Sequence, residues 1–224
     1  MRLKNRAQSS FFTLAILTSI LHLIVIVYDF RNGIYITKPL VLVLLIQVWN
    51  YEKDSTANYG VKHWFVLGLL FSLVGDIVLM TPKMFVYGIL FFLGAQCSYI
   101  IAFLQLSFWK RKDLLYLVPA VIYMLILLSF LLPHVGTILL PIIIYAFIIS
   151  LMLWRALCLL TIKSTHSYLL VVGSVLFVLS DSCIAINKFV TEIPQARFII
   201  MSTYFAAQIL LCYSTICLTR IHKR

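Results

Sequence analysis

Apolar residues follow one another in stretches too long and too unbroken for the faces of a soluble fold. They fall at roughly 11–28, 36–50, 63–80, 84–108, 114–132, 137–161, 167–187 and 196–218, separated by short polar connections. A helix needs about 20 residues to cross a hydrocarbon layer of about 30 Å. The pattern therefore predicts an all-α membrane protein with about eight transmembrane helices, seven being the nearest alternative. No connection is long enough to fold by itself, so residues 1–224 read as a single polytopic transmembrane domain. The second run is short, and Pro39 is predicted in its first turn, where a missing N–H breaks no helical bond. The seventh and eighth runs are divided by "NKFVTEIPQAR", whose Pro194 and charges make a break. The opening "MRLKNRAQSS" and the 18-residue apolar run after it resemble a signal peptide. The run is longer than a typical signal core and no small-x-small site follows, so it reads as the first spanning helix.

Composition agrees with lipid as the solvent. The chain is 63% hydrophobic and 11% charged, with a mean hydropathy of +1.06. Its net charge of +11 sits singly or in small groups at the ends of apolar runs, with no basic domain. That distribution excludes a nucleic-acid partner and marks topology instead. With eight spans, one side collects thirteen basic residues: Arg2, Lys4, Arg6, Lys53, Lys62, Lys110, Arg111, Lys112, Arg155, Lys163, Arg220, Lys223 and Arg224. The other side has five: Arg31, Lys38, Lys83, Lys188 and Arg197. Both termini are thus expected in the cytoplasm, with "WKRKD" (109–113) the clearest loop signal. Cys97, Cys158, Cys183, Cys212 and Cys217 all lie in apolar runs without metal-pair or disulfide spacing, and read as packing residues.

The informative residues are the polar ones inside the runs. An Asp at a helix centre costs roughly 2.5–3.5 kcal/mol to insert, yet the third run carries Asp76 and the seventh Asp181. Counted back from the ends of their runs, both lie roughly 6–9 Å below the outer surface. His22 falls at a similar depth and alone reads as a packing residue. Lys38 is expected to open the second helix at the outer rim, and Asn187 to close the seventh. Gln96, Tyr99, Tyr204 and Gln208 fall deeper, where each alone reads equally well as an interhelical hydrogen bonder. A weak internal repeat accompanies them: Asp76 and Asp181, Tyr99 and Tyr204, and Lys83 and Lys188 are each 105 residues apart, and Pro39 and Pro141 are 102 apart. The offset suggests two parallel four-helix halves that bring the aspartates to a common cavity.

Five segments in order, "TKPLVLVLLI" (37–46), "LVGDIVLM" (73–80), "SYIIAF" (98–103), "LFVLSDSCIAINKF" (176–189) and "STYFAAQ" (202–208), together resemble the YhhN-like lysoplasmalogenase family of integral membrane proteins. The resemblance covers the second to eighth runs. It implies an ether hydrolase, free of metal and other cofactors, that cleaves the vinyl ether bond of lysoplasmalogens. The products are a fatty aldehyde and glycerophosphoethanolamine or glycerophosphocholine, and the partner is a membrane lysophospholipid. It further implies that Asp76 and Asp181 are catalytic, with Lys38, Gln96, Tyr99, Ser180, Ser182, Asn187, Tyr204 and Gln208 binding or supporting. Gln96 departs from the family's frequent histidine. An amide can hydrogen-bond there but cannot shuttle a proton at neutral pH.

The chemistry suits such residues. Vinyl ether hydrolysis begins with protonation of the alkene carbon to an oxocarbenium ion, followed by addition of water and collapse of the hemiacetal. The first step needs a general acid still protonated near neutral pH, which a buried carboxyl can be. The second gains from a nearby carboxylate, so a carboxyl pair fills both roles. A vinyl ether in a bilayer lies just below the headgroups, at the depth of the aspartates. Lys38, Lys188 and Arg197 share that side and could meet the lipid phosphate, Lys38 foremost. A proton-coupled transporter of small molecules or lipids is the alternative that paired carboxylates and parallel halves also suit, although the aspartate segments lack the Gly/Pro breaks of discontinuous helices. A zinc hydrolase is disfavoured, since His63, His134, His166 and His222 fall at run ends or loops and leave His22 alone in the membrane.

Overall fold

The computed structural model describes residues 6–52, 59–107 and 110–221; of the residues named above, Arg2, Lys4, Lys53, Trp109, His222, Lys223 and Arg224 lie outside these. The described chain forms α1 (Arg6–Val27), α2 (Arg31–Asn50), α3 (Tyr59–Leu79), α4 (Phe85–Leu106), α5 (Leu117–Leu131), α6 (Leu139–Cys158), α7 (Thr165–Phe189) and α8 (Ala196–Ile221). Tight 3₁₀ turns extend two of them, so that the fifth and sixth spans run over Arg111–Leu131 and Leu139–Ile162. All eight are long and apolar enough to cross a bilayer. Leu14, Leu17, Ile20, Leu21 and Ile24 on α1, and Leu125, Ile126 and Phe130 on α5, lie exposed on the outside. In water such faces would be an aggregation surface; in a multi-pass membrane protein they meet lipid.

The second span begins earlier than its apolar run. α2 starts at Arg31, so Pro39 lies inside the helix rather than in its first turn. Lys38 is correspondingly within the helix, its side chain only 13% exposed, instead of opening it at the rim. The helix runs through a polar stretch that hydropathy alone leaves out, and Thr37 Oγ1 is satisfied within it by the Gly33 carbonyl (2.7 Å). Pro39 removes its own N–H from the ladder and crowds the carbonyl four residues before it.

Packing follows the two halves. α1 lies on α2, α2 on α3 and α3 on α4, and the same sequence of contacts recurs as α5 on α6, α6 on α7 and α7 on α8. The halves join where α4 meets α6 and where α8 meets α2 and α1. Between them runs an aromatic column in which Trp49, Phe65, Tyr99, Phe177 and Tyr204 follow one another at ring-centroid spacings of 5.0–6.3 Å. α3 can approach Tyr99 this closely because position 68 is glycine: a Cβ there would lie 2.4 Å from the Tyr99 ring.

At one end, α1, α2 and α8 are clamped by a buried polar cluster. Arg220 Nε and Nη2 both bond the Glu52 carboxylate, Nη2 also bonds Gln8 Oε1 (3.0 Å), and Gln8 Nε2 reaches Glu52 Oε2 (3.0 Å). The charges neutralise one another, as buried charges require, although Arg220 Nη1 is buried without a hydrogen-bond partner among the described residues. The aspartates lie toward the opposite end.

Candidate active site

Each aspartate sits on an unbroken helix, Asp76 on α3 and Asp181 on α7. Counted from the helix ends they differ: Asp76 is three residues before Leu79, Asp181 eight before Phe189. The matched depth expected from the apolar runs therefore holds only loosely, because α7 extends past its run and α3 stops short of its own. Both side chains are buried, Asp76 at 2% exposure and Asp181 at 8%.

Asp76 is held by a cation and a phenol. Lys38 Nζ lies 3.1 Å from Oδ1, and the Tyr204 hydroxyl donates to Oδ2 at 2.9 Å. Behind Tyr204 the polar chain continues. Tyr99 Oη donates to Gln208 Oε1 (2.9 Å), and Gln208 Nε2 donates to Ser72 Oγ (3.2 Å) and Tyr204 Oη (3.3 Å). Four of the expected residues, Lys38, Tyr99, Tyr204 and Gln208, are thus joined to Asp76 in one network.

Asp181 has no cation within ion-pair distance among the described residues. Its Oδ2 accepts from Gln96 Nε2 (3.1 Å) and, by a short hydrogen bond, from the Tyr145 hydroxyl. Gln96 Nε2 also reaches Tyr145 Oη (2.8 Å), which closes a triangle. Oδ1 of Asp181 has no hydrogen bond, and Gln96 Oε1 is buried without a partner. Next to Asp181, Ser182 Oγ donates to the Val178 carbonyl (2.7 Å) and accepts from Tyr123 Oη (2.9 Å).

The two sites are wired alike. Asp76 is bonded from α2, the second helix of its own half, and from α8, the last helix of the other. Asp181 is bonded from α6 and α4, the equivalent pair.

Two of the expected residues stand apart. Ser180 Oγ bonds the Ile200 carbonyl (3.1 Å), tying α7 to α8, and Asn187 Oδ1 accepts from Ile193 N (2.9 Å), shaping the turn between those helices. Two residues that sequence reasoning passed over stand in the site: Tyr145 and Tyr123. A tyrosine in an apolar run looks like any packing aromatic. The available signal was the repeat, which calls for an α6 partner to Asp181 where α2 serves Asp76.

Two cavities lie side by side at this end. One is a narrow apolar slot of about 40 Å³ among α4, α5, α6 and α7, walled by Phe92, Leu127, Leu131, Ile142 and Ile149 and bearing Asp181, Tyr145, Tyr123 and Ser182. The other is a polar vestibule of about 590 Å³ that includes His22, Arg31, Lys38, Asn187 and Arg197. Leu79, Phe85 and Ile184 belong to both walls. Asp76 lines neither; it stands behind Lys38, so the common cavity expected for the pair is reached directly by Asp181 alone. Among the described residues, no three His, Cys, Asp or Glu side chains gather as a metal site would require.

The YhhN family model matches residues 33–215. Among curated proteins, lysoplasmalogenase TMEM86B of Mus musculus is 34% identical over 178 residues, 79% of this chain and 72% of that protein. The Rattus norvegicus protein of the same name is 34% identical over 177 residues, 79% of this chain and 70% of its own length. The Sus scrofa protein is 34% identical over 172 residues, 77% and 71% respectively. No solved structure matches the chain.

Proposed function

The chain belongs to the YhhN family, and from that premise we propose that it is a lysoplasmalogenase, hydrolysing the vinyl ether bond of a lysophospholipid within the membrane. The names of its relatives support the activity. The observation that carries the mechanism is the apolar slot ending on Asp181, whose Oδ1 is unbonded while two neutral donors hold Oδ2.

In this reading the double bond of the lipid enters the narrow slot, the rest of its chain lying outside along the exposed apolar face of α5, and Asp181 Oδ1 delivers a proton to the alkene carbon one bond removed from the ether carbon. The electron pair of the double bond forms the new C–H bond, and the adjacent carbon becomes an oxocarbenium ion. Asp76 stands behind the site as half of an ion pair with Lys38, its other oxygen held by Tyr204, and fixes α2, α3 and α8 around the cavities. Water then adds to the oxocarbenium carbon and loses its proton to the Asp181 carboxylate, the acid of the first step acting as base in the second. Gln96 Oε1, a buried acceptor beside Asp181, suits that water. The hemiacetal collapses as its C–O bond to glycerol breaks, the glycerol oxygen takes the proton held by Asp181, the hemiacetal hydroxyl returns its proton to that carboxylate, and aldehyde leaves with the acid restored. Tyr145 and Gln96 orient Asp181, while Tyr99 and Gln208 buttress Tyr204.

The charge asymmetry supports a cytoplasmic location for both termini and an active site toward the outer half of the bilayer. The single polytopic domain of the sequence reading fits the continuous packing of the two halves. The transport alternative would rest on discontinuous helices, and α3 and α7 run unbroken through their aspartates.

The test is release of fatty aldehyde from 1-alkenyl lysophospholipid by the purified protein, with 1-acyl lysophospholipid as control and one arm containing chelator. Aldehyde from the alkenyl lipid alone, undiminished by chelator, is expected. No aldehyde release would refute the assignment.

A further inference from the structure

The vestibule holds chemistry that the reaction does not use. Lys38 faces it, but its charge is matched by Asp76. Arg31 lines it and has no hydrogen-bond or ion-pair partner among the described residues. Arg197 is paired only with Asp29 at 3.3 Å, and both of those side chains are more than half exposed, an arrangement that water and salt weaken. Two guanidinium groups are therefore available on a cavity that shares walls with an apolar slot.

His22 adds an independent observation. It belongs to the vestibule wall, is itself fully buried, and has an orphaned nitrogen, Nε2. Its tautomer follows from its neighbour. Thr37 Oγ1 has one proton and donates it to the Gly33 carbonyl (2.7 Å), so the 2.7 Å contact with His22 Nδ1 must be donated by the imidazole. Nε2 is then a bare acceptor, and a buried acceptor without a donor is costly unless a ligand supplies one.

Resting on the lysoplasmalogenase reading, we propose that the vestibule is the head site of a single-chain glycerophospholipid. Arg31 and Arg197 bind its phosphate, and His22 Nε2 accepts a hydrogen bond from the free hydroxyl on the middle glycerol carbon. Across the shared walls Leu79, Phe85 and Ile184 the first glycerol carbon comes beside the Asp181 slot. A second acyl chain on the middle carbon would remove the donor and leave Nε2 unpaired, so the same contact selects for the lyso form. Lys188, whose Nζ lies 5.4 Å from the Phe85 ring centroid, is not needed for this site.

The test is equilibrium binding of a non-cleavable 1-alkyl lysophospholipid to the purified full chain, a readout independent of hydrolysis. Arg31→Gln combined with Arg197→Gln, both surface changes, should weaken binding on the order of tenfold or more at low salt. The same variant should bind 1-alkylglycerol, which has no phosphate, as wild type does. Wild type should bind the 2-deoxy lipid on the order of tenfold more weakly than its hydroxylated parent. Inorganic phosphate at equal concentration should not displace the lipid. Unchanged phospholipid binding by the double variant, equal loss of the phosphate-free lipid, tight binding of the 2-deoxy lipid, or displacement by phosphate alone would each overturn the proposal. If this binding pattern holds while the alkenyl lipid is not cleaved, the head site stands and the hydrolase reading falls.

Discussion

Replacing Lys38 by methionine probes how Asp76 is tolerated in the bundle. The pair is close, 3.1 Å, and its side chains are 13% and 3% exposed. Removing one partner from a buried pair leaves the other charge unmatched and costs about 3–5 kcal/mol. For a chain of this size that corresponds to a fall of roughly 6–20 °C in thermal midpoint. Lys38→Met with Asp76→Asn should recover most of that loss, because a neutral amide can still accept the Tyr204 hydroxyl and no charge is stranded. The assay is thermal unfolding of the three variants and wild type in one detergent, with aldehyde release measured alongside. Both single variants should be unstable and slow, and the double variant stable but still slow. A Lys38→Met protein that loses under about 1 kcal/mol, as an exposed pair would, or a double variant no better than the singles, would refute the coupling.

Tyr145→Phe removes one donor to Asp181 and should lower kcat/KM by about tenfold or more at unchanged thermal stability in the same detergent, the hydrogen bond to a carboxyl being worth about 1.5–3 kcal/mol. Gln96→His should keep turnover and Gln96→Leu should lose it, measured as aldehyde release, since only the former retains a donor toward Asp181. Gly68→Ala puts a methyl group 2.4 Å from the Tyr99 ring and should lower the thermal midpoint by displacing the aromatic column. Arg220→Met should destabilise by about 3–5 kcal/mol while kcat per folded molecule, normalised by size-exclusion recovery, stays at the wild-type value.

The spans were legible because lipid leaves the backbone only helices and closed barrels, and a helix in lipid must be written in long apolar runs. The buried aspartates were legible for the same reason, as departures from those runs. What escaped was decided by side-chain partnership. α2 begins at Arg31, ahead of its apolar run, and hydropathy does not record a polar turn such as the one in which Thr37 bonds its own helix. Lys38 read as a rim cation for a lipid phosphate, whereas its Nζ turns inward to Asp76, leaving the cations of the vestibule mouth to Arg31 and Arg197. Tyr145 was hidden because its neighbours are isoleucines and its role depends on α6 meeting both α4 and α7. The 105-residue offset was a faint mark in the sequence, and in the structure it becomes the matched bonding of Asp76 and Asp181 from equivalent helices.

The most direct test of the account is aldehyde release by Asp181→Asn against wild type, at equal amounts of folded protein and saturating alkenyl lysophospholipid. An asparagine keeps the shape and cannot donate the catalytic proton, so kcat should fall by at least about 100-fold, the contribution expected of a general acid. A rate within about threefold of wild type, a barrier change under 1 kcal/mol, would contradict the claim that Asp181 protonates the vinyl ether.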